Sequence, residues 1–128
     1  MTYAESVAYL YSLQKHGIKL GLTTMTALMV RLGMPQTRYR TLHIAGTNGK
    51  GSTAAMAAAV LQAAGYRVGL YTSPHLVDFR ERIRVNGEMI DESRVAQLTE
   101  RFQALCQPDL LPTFFEYTTA MAFQHFAD

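Results

Sequence analysis

The chain has 128 residues, of which 48% are hydrophobic and 17% charged, a composition that is typical of a globular domain and excludes a disordered chain. Its 12 basic and 10 acidic residues leave a formal net charge of +2, which is too small to predict a nucleic-acid or membrane-surface partner. The single cysteine, Cys106, excludes an intramolecular disulfide, and the sequence has neither the basic region of a signal peptide nor a window of transmembrane length, so we expect a soluble, cytoplasmic protein.

The N-terminal part of the sequence has the pattern of two helices joined by a loop. Apolar residues at helical spacing predict a first helix over residues 3–15 and a second one that Thr23 caps and that runs to about Leu32. Gly17 and Gly33 follow the two helices as terminators. The segment between them, IKLGL (18–22), is apolar but contains a glycine, and is predicted to be a connecting loop.

A strand, a turn and a helix are predicted next. TLHIA (41–45) has the pattern of a short buried strand, within which His43 is interpreted as a packed core histidine. A glycine-rich turn leads into an Ala-rich helix over residues 52–64, whose short side chains would allow close packing on a sheet. The β-rich segment YRVGLYT (66–72) then completes a βαβ unit, which favours two parallel strands. The chain is therefore predicted to be an α/β protein.

The C-terminal half has a hairpin and two further helices. SPHLVDFRER (73–82) is predicted to be a loop, and Asn86-Gly87 between apolar runs predicts a tight hairpin. Asp91 is expected to cap an amphipathic helix. The last helix is predicted to start at Thr113 and is apolar on most sides, which is expected of a helix buried by other parts of a larger fold.

The glycine-rich turn, GTNGKGS (46–52), has the composition of a phosphate-binding loop. Backbone N–H groups and a helix N-terminus can bind phosphate oxygens, and Lys50 adds a positive charge. The spacing departs from the G-x-x-x-x-G-K-[ST] pattern, because Ile44 occupies the first glycine position and Gly51 follows the lysine. A glycine-rich turn without a ligand is the alternative, and it explains the glycines but not the lysine and the strand–loop–helix context together.

The motif HIAGTNGKGST (43–53), with YTSPHL (71–76) and the IKLGL loop, resembles the N-terminal ATPase region of folylpolyglutamate synthases and dihydrofolate synthases, relatives of the Mur ligases. The resemblance extends through TFFEY (113–117), and Gly51 after the lysine favours the folate branch. It implies that residues 1–128 are the N-terminal part of a P-loop-containing, parallel-sheet ATPase domain of Mur-ligase type. The rest of that domain and a C-terminal domain would then lie beyond residue 128.

The activity implied by the resemblance is that of an ATP-dependent, amide-bond-forming ligase of folate biosynthesis and one-carbon metabolism. A dihydropteroate or folate carboxylate would be phosphorylated by ATP, and the amine of L-glutamate would attack the acyl phosphate. ATP and Mg²⁺ are the expected cofactors, the partners are small molecules without nucleic acid or membrane, and the full-length protein is expected to be a monomer. We expect the 128 residues alone to be inactive. A P-loop nucleotide hydrolase or kinase and a non-catalytic nucleotide-binding module stay open as alternatives.

The resemblance also implies where ATP and magnesium bind. The ATP phosphates would be held by six consecutive residues of the glycine-rich turn, namely Thr47, Asn48, Gly49, Lys50, Gly51 and Ser52. Lys50 would also be the catalytic residue. Ser73 would be a magnesium ligand, since hard cations take oxygen ligands, although Ser-Pro is also a common turn opening. A further Glu and His ligand are expected beyond residue 128.

The pterin substrate is expected on two segments, which comprise Lys19, Leu20 and Gly21 in the first and Thr113, Phe114, Phe115 and Glu116 in the second. Aromatic faces and a carboxylate suit a flat heterocycle with ring N–H donors. The second segment also has the [ST]-x-x-E spacing of a helix capping box, and the first can be an ordinary interhelical loop.

Three alternating arginines, Arg80, Arg82 and Arg84, would share one face of an extended segment and suit the carboxylates of a folate or glutamyl tail. Arg82 is the preferred substrate-binding residue among them, and a solvated edge is the alternative. His75 could contact the nucleotide region, but a lone loop histidine is usually structural. Cys106 is interpreted as a small buried hydrophobic residue.

Overall fold

The structure, a computed structural model, describes residues 1–16 and 21–128. Within these ranges the chain forms five α-helices, three β-strands and three short 3-10 helices. The α-helices are α1 (Tyr3–Ser12), α2 (Thr23–Leu32), α3 (Lys50–Ala63), α4 (Glu92–Cys106) and α5 (Phe114–Ala127). The strands are β1 (Gly69–Tyr71), β2 (Ile83–Val85) and β3 (Glu88–Met89), and the 3-10 helices cover Leu13–His16, Pro35–Thr37 and Phe79–Arg82.

The elements separate into two compact units. The first unit comprises Met1–Tyr39 and Asp91–Asp128 and contains α1, α2, α4 and α5. The second unit comprises Arg40–Ile90 and contains α3 and the three strands. None of the helices within the described ranges is both long and apolar enough to cross a membrane. The assignment of residues 1–128 to one ATP-binding domain stays a prediction.

Helix α2 in the first unit confirms the helix predicted over residues 23–32. The helix ends at Gly33, which adopts a φ of 83° and whose N–H donates to the carbonyl of Val30. A positive φ costs glycine little because it has no Cβ atom, so the sequence signal and the observed terminus have the same cause. The predicted cap at Thr23 was wrong: Leu22 is the N-cap residue, without a side-chain hydrogen bond, and Thr23 is the first residue of the helix.

Helix α5 is the central helix of the first unit. It packs against α1, α2 and α4, which bury seven of its residues: Phe114, Tyr117, Thr118, Ala120, Met121, Ala122 and Gln124. Tyr117 is fully buried and its hydroxyl donates to the carbonyl of Thr99 at 2.9 Å. The neighbouring elements of the first unit therefore cover this face of α5, and burial of its other residues by further parts of a larger fold stays a prediction.

The second unit contains a three-stranded sheet with the order β1-β2-β3, in which both strand pairs are antiparallel. Asn86 and Gly87 connect β2 and β3 with φ angles of 51° and 82°, so the predicted hairpin is confirmed. The Asn86 side chain accepts a hydrogen bond from the N–H of Val68 at 2.9 Å, which ties the turn to the chain just before β1.

The predicted parallel pair of strands was wrong. Residues 41–45 form no strand in the structure, and the neighbour of β1 is the antiparallel β2. Leu42 is 67% exposed and His43 is also exposed, so neither the buried strand nor the packed histidine was predicted correctly. The hairpin at residues 86–87 places β2 beside β1 through a short connection, whereas a segment without a paired neighbour leaves its peptide groups to water. The prediction of an α/β chain is confirmed.

Helix α3 begins at Lys50, two positions before its predicted start. Its N-cap residue, Gly49, has a φ of 73°, a left-handed conformation that glycine adopts at low cost. None of the 14 residues of α3 is buried, and Met56 and Val60 are 62% and 66% exposed. The alanines approach β1, but the predicted close burial of this helix on a sheet is not observed among the described residues.

Candidate functional site

The first unit contains a cavity of about 870 Å³ between the start of α2 and the N-terminal half of α5, which we call the first cavity. Ten residues line it: Gln14, Gly21, Leu22, Met25, Thr113, Phe114, Phe115, Glu116, Thr119 and Phe123. Five of the ten have large apolar side chains, and a cavity of this volume falls in the range of small-molecule sites.

The first cavity brings together two segments that are far apart in the sequence. Gly21 and all four predicted residues of the second segment, 113–116, line it. Lys19 and Leu20 lie outside the described residues. The sequence patterns did not indicate the other lining residues, Gln14, Leu22, Met25, Thr119 and Phe123. A spacing of four relates Phe115 to Thr119 and Thr119 to Phe123, and this helical periodicity could have identified the last two.

The start of α5 forms the capping box that the spacing predicted. The Thr113 hydroxyl accepts from the N–H of Glu116 at 3.1 Å, and the Glu116 carboxylate accepts from the N–H of Thr113 at 3.0 Å. A carboxylate can accept several hydrogen bonds, so this cap is compatible with a further bond to a ligand in the first cavity. The cap therefore fixes the wall of the cavity that carries Glu116.

The two phenylalanines of this wall differ in their surroundings. Phe114 is 8% exposed, and its ring stacks on that of Tyr11 with 5.5 Å between the ring centroids. Phe115 is 56% exposed. Phe114 thus belongs mainly to the packed core, whereas Phe115 presents an accessible aromatic face.

The second unit contains a cavity of about 550 Å³ along α3, β1 and the loop that follows β1, which we call the second cavity. It is lined by residues of these three elements and of the neighbouring segments: Gly51, Ala55, Ala58, Ala59, Gln62, Val68, Leu70, Thr72, Ser73, Pro74, Leu76, Glu81, Arg84 and Gly87. Two predicted site residues, Gly51 and Ser73, thus lie on one cavity. The other five predicted ATP-binding residues are not among those that line it.

The predicted phosphate loop leads directly into α3. Residues 47–49 form a bend, and the first helical hydrogen bond runs from the N–H of Thr53 to the carbonyl of Gly49 at 2.9 Å. The first N–H groups of a helix have no acceptors within it and carry a partial positive charge. Because Lys50 is the first, exposed residue of α3, its side-chain charge adds to that of the helix N-terminus.

Glu81 organises the loop between β1 and the 3-10 helix, residues 73–78. Its carboxylate accepts hydrogen bonds from the backbone N–H groups of Leu76 at 2.9 Å, Val77 at 3.0 Å and Asp78 at 2.7 Å. The bond from Asp78, followed by that from Leu76, lowers the pKa of Glu81 below its ordinary value. Glu81 was not predicted as a site residue, although the D-x-x-E spacing of Asp78 and Glu81 is that of a capping box, which the structure contains.

The three arginines do not share one face, because part of this segment is helical. Arg80 and Arg82 lie on the 3-10 helix and Arg84 lies on β2, so the predicted extended segment was wrong. Arg80 pairs with Asp78 at 3.1 Å. Arg82 is 8% exposed, and its Nε donates to Nδ1 of His75 at 2.7 Å. The substrate-binding role of Arg82 stays a prediction.

Ser73 is exposed and offers a hydroxyl oxygen, which fits one position of a magnesium site. Within residues 1–16 and 21–128, no group of three or more His, Cys, Asp and Glu side chains could hold a metal ion. Glu81, the carboxylate that lines the same cavity, is engaged by three backbone N–H groups. Mg²⁺ at Ser73 would therefore take its other ligands from phosphate, water or residues elsewhere.

Comparison with protein-family models found no match. Among curated proteins, the chain is 44% identical over 131 residues to the dihydrofolate synthase/folylpolyglutamate synthase of Bacillus subtilis, covering 98% of this chain and 30% of the relative. It is 41% identical over 120 residues to the Escherichia coli protein of the same name, covering 93% of this chain and 28% of the relative.

Solved structures agree with these relatives. A folylpolyglutamate synthase from Thermotoga maritima matches with a TM-score of 0.88 and 46% identity, over 98% of this chain and 30% of that one. The synthetase from Lactobacillus casei matches with a TM-score of 0.92 and 38% identity, over 98% of this chain and 33% of that one. An E. coli structure in complex with DHPP and ADP matches with a TM-score of 0.89 and 38% identity, over 99% and 30%.

These likenesses first define the class: the chain has the fold of the corresponding region of solved folylpolyglutamate synthases. More particularly, it belongs to the family of folylpolyglutamate and dihydrofolate synthases and matches the N-terminal part of its members. The chain spans 30% of the length of the B. subtilis relative.

Proposed function

We propose that the protein is an ATP-dependent ligase that joins L-glutamate to the carboxylate of a dihydropteroate or a folate through an acyl phosphate. The observation that carries this proposal is the first cavity, where Gly21 and residues 113–116 line one largely apolar space. The family resemblance assigns the pterin substrate to these residues. A solved relative that holds DHPP and ADP supports the same substrate class.

The first cavity has the chemistry that a pterin requires. The exposed ring of Phe115 can stack on a flat heterocycle, and the carboxylate of Glu116 can accept hydrogen bonds from ring N–H groups. Lys19 and Leu20 would complete the binding segment that includes Gly21. Arg82 would bind a carboxylate of the folate or glutamyl tail.

The N-terminus of α3 would hold the phosphates of ATP as a P-loop, through Lys50 and its neighbours Thr47, Asn48, Gly49, Gly51 and Ser52. When bound, Mg²⁺ would supply positive charge at the phosphate oxygens, with the Ser73 hydroxyl as one ligand. We place the remaining ligands in the longer protein, as the family resemblance implies.

The reaction would have two steps, because a free carboxylate has no good leaving group and must first be phosphorylated. An oxygen of the substrate carboxylate attacks the terminal phosphorus of ATP, the bond from that phosphorus to the bridging oxygen breaks, and ADP leaves. The glutamate amine then attacks the acyl carbon and loses a proton, and phosphate leaves as the amide forms. Lys50 would neutralise negative charge as it redistributes on the phosphoryl oxygens.

Oxygen transfer tests the acyl-phosphate route. If the full-length protein is given a pteroate whose carboxylate is enriched in heavy oxygen, we expect one labelled atom in each released phosphate. Phosphate without label in a single turnover would contradict the mechanism, whatever the rate of the reaction.

Product analysis separates the ligase from its alternatives. With each pteroate substrate, the ligase should release phosphate and form the amide only when glutamate is present. Phosphate release that does not require glutamate would indicate a hydrolase, and ADP formation without release of phosphate would indicate a kinase. ATP binding without turnover by the full-length protein would indicate a nucleotide-binding module. We further propose that this protein is a cytoplasmic monomer.

A further inference from the structure

We infer that Glu81 is the positioning residue for the loop that carries Ser73, and that it sets the magnesium affinity of the site through this loop. The inference rests on the proposed function, in which the Ser73 hydroxyl binds the metal. Glu81 would act without touching metal or substrate, because its carboxylate is directed at the backbone of its own loop.

The loop of residues 73–78 is held by polar contacts. Its two large aliphatic side chains, Leu76 and Val77, are 92% and 90% exposed and therefore add little burial. Their backbone N–H groups, with that of Asp78, donate to Glu81 instead. Since these exposed side chains cannot fix the loop by packing, its conformation depends on polar contacts, namely the acceptor that the three amides share and the hydrogen bond from Arg82 to His75.

Both ends of the loop are tied to the same 3-10 helix, Phe79–Arg82. On the side before Ser73, the N–H of Thr72 donates to the carbonyl of Arg82 at 3.0 Å. On the side after Ser73, three N–H groups donate to Glu81. The helix is itself anchored, because Phe79 is 2% exposed and Arg82 is 8% exposed. Ser73 thus lies between two attachments to one buried support.

A carboxylate is the side chain that this arrangement requires. Both oxygens of Glu81 accept, Oε1 from one N–H group and Oε2 from two. A glutamine has nearly the same shape but offers one oxygen and one NH₂ group, which cannot accept a hydrogen bond from an amide. Glu81→Gln therefore removes acceptors from the loop with little change in volume.

The test uses the full-length protein with Glu81→Gln, and with Glu88→Gln as a matched control, because Glu88 is an exposed carboxylate on β3 of the same unit. We expect Glu81→Gln to speed amide hydrogen exchange at residues 76–78 by about tenfold or more. We also expect the Mg²⁺ concentration for half-maximal ATP turnover to rise by roughly tenfold, the scale of losses beside metal ligands. Glu88→Gln should change neither quantity, and Glu81→Asp, which keeps a carboxylate, should recover part of both.

Two results would overturn the inference: unchanged exchange at residues 76–78, or faster exchange with an unchanged Mg²⁺ requirement, which would make Glu81 a purely structural residue. Ser73→Ala, measured in parallel, separates this failure from that of the proposed function. If Ser73→Ala raises the Mg²⁺ requirement and Glu81→Gln does not, only the role of Glu81 is wrong. If Ser73→Ala has no effect, the metal role of Ser73 is wrong and that of Glu81 falls with it. If Glu81→Gln does not fold, Glu81→Asp is compared with wild type in the same two measurements, amide exchange at residues 76–78 and the Mg²⁺ requirement, and both differences should be smaller.

Discussion

Lys50 is exposed and occupies the first position of α3, so that its ammonium group and the helix N-terminus act on the same region. We predict that Lys50→Ala lowers the ATP turnover of the full-length protein by a factor of order 10² or greater, the scale found when one electrostatic donor is removed from a catalytic site. Arg67→Ala, at another exposed basic residue of the second unit, is the control and should leave turnover nearly unchanged. Near-normal turnover of folded Lys50→Ala protein would contradict the phosphate-loop assignment.

Thr113 also allows a prediction at the scale of one side chain. Its hydroxyl caps α5 by accepting from the N–H of Glu116, so Thr113→Ala should lower the free energy of unfolding by about 1 kcal/mol. Thr113→Ser keeps the oxygen and should restore most of this loss. Urea unfolding of the three proteins measures the difference, and equal stability of Thr113→Ala and wild type would show that the cap contributes nothing.

Among the elements, the connection from α4 to α5 is held by Arg31 at the end of α2. The Arg31 guanidinium donates to the carbonyl of Leu105 at 2.7 Å and to both carboxylate oxygens of Asp109 at 2.9 Å. These hydrogen bonds, with the attraction of the Arg31 charge, hold the pKa of Asp109 below its ordinary value. The Arg31 side chain thus joins the end of α2 to the end of α4 and to the connection that follows it.

The lowered pKa gives this connection a pH dependence with a definite sign. Because the pKa of Asp109 is lower in the folded state, the ion pair stabilises the protein above the ordinary pKa of aspartate and loses this effect as the pH falls through the folded pKa. We predict that Arg31→Ala raises the pKa of Asp109 toward its ordinary value, as measured by an NMR titration of its carboxyl group. An unchanged titration in Arg31→Ala would exclude Arg31 as the cause, and Asp109→Asn confirms the signal assignment.

The elements also show which features a sequence can predict. The end of α2 at Gly33, the hairpin at Asn86-Gly87 and the cap at Thr113 were predicted correctly because each depends on residues a few positions apart. Strand pairing depends on residues far apart in the sequence, and for this reason the strand predicted over residues 41–45 was wrong. The short 3-10 helix Phe79–Arg82 was missed, and with it the positions of the neighbouring arginines.

The candidate site also depends on contacts between distant residues, which a local sequence pattern does not predict. No local pattern joins Gly21 to residues 113–116, so their common cavity was expected only from the family resemblance. The role of Glu81 depends on backbone N–H groups, which every non-proline residue has, and composition or spacing therefore cannot identify their acceptor.

For the whole molecule, we predict that the 128 residues alone bind ATP weakly and do not catalyse ligation. The second unit has an α3 without buried residues and a short sheet whose outer edges are unpaired among the described strands, so self-association of the isolated chain is expected. Size-exclusion chromatography and an assay of glutamate-dependent phosphate release test the two statements. Release at a rate near that of the full-length protein would show that the residues assigned to the rest of the enzyme are dispensable.

The division of the first unit between the two ends of the chain has a consequence for biosynthesis. Met1–Tyr39 cannot complete its packing until Asp91–Asp128 has been made, whereas Arg40–Ile90 is continuous and emerges from the ribosome before the second of these segments. Domains generally fold as units during synthesis, and the N-terminal ones fold first. In this chain the second unit is complete before the first, although residues 1–39 of the first unit are synthesised before it. The first cavity, which Gly21 and Thr113 both line, therefore cannot form until the whole second unit has been synthesised. During this time α1 and α2 lack the helix α5, against which their apolar faces pack.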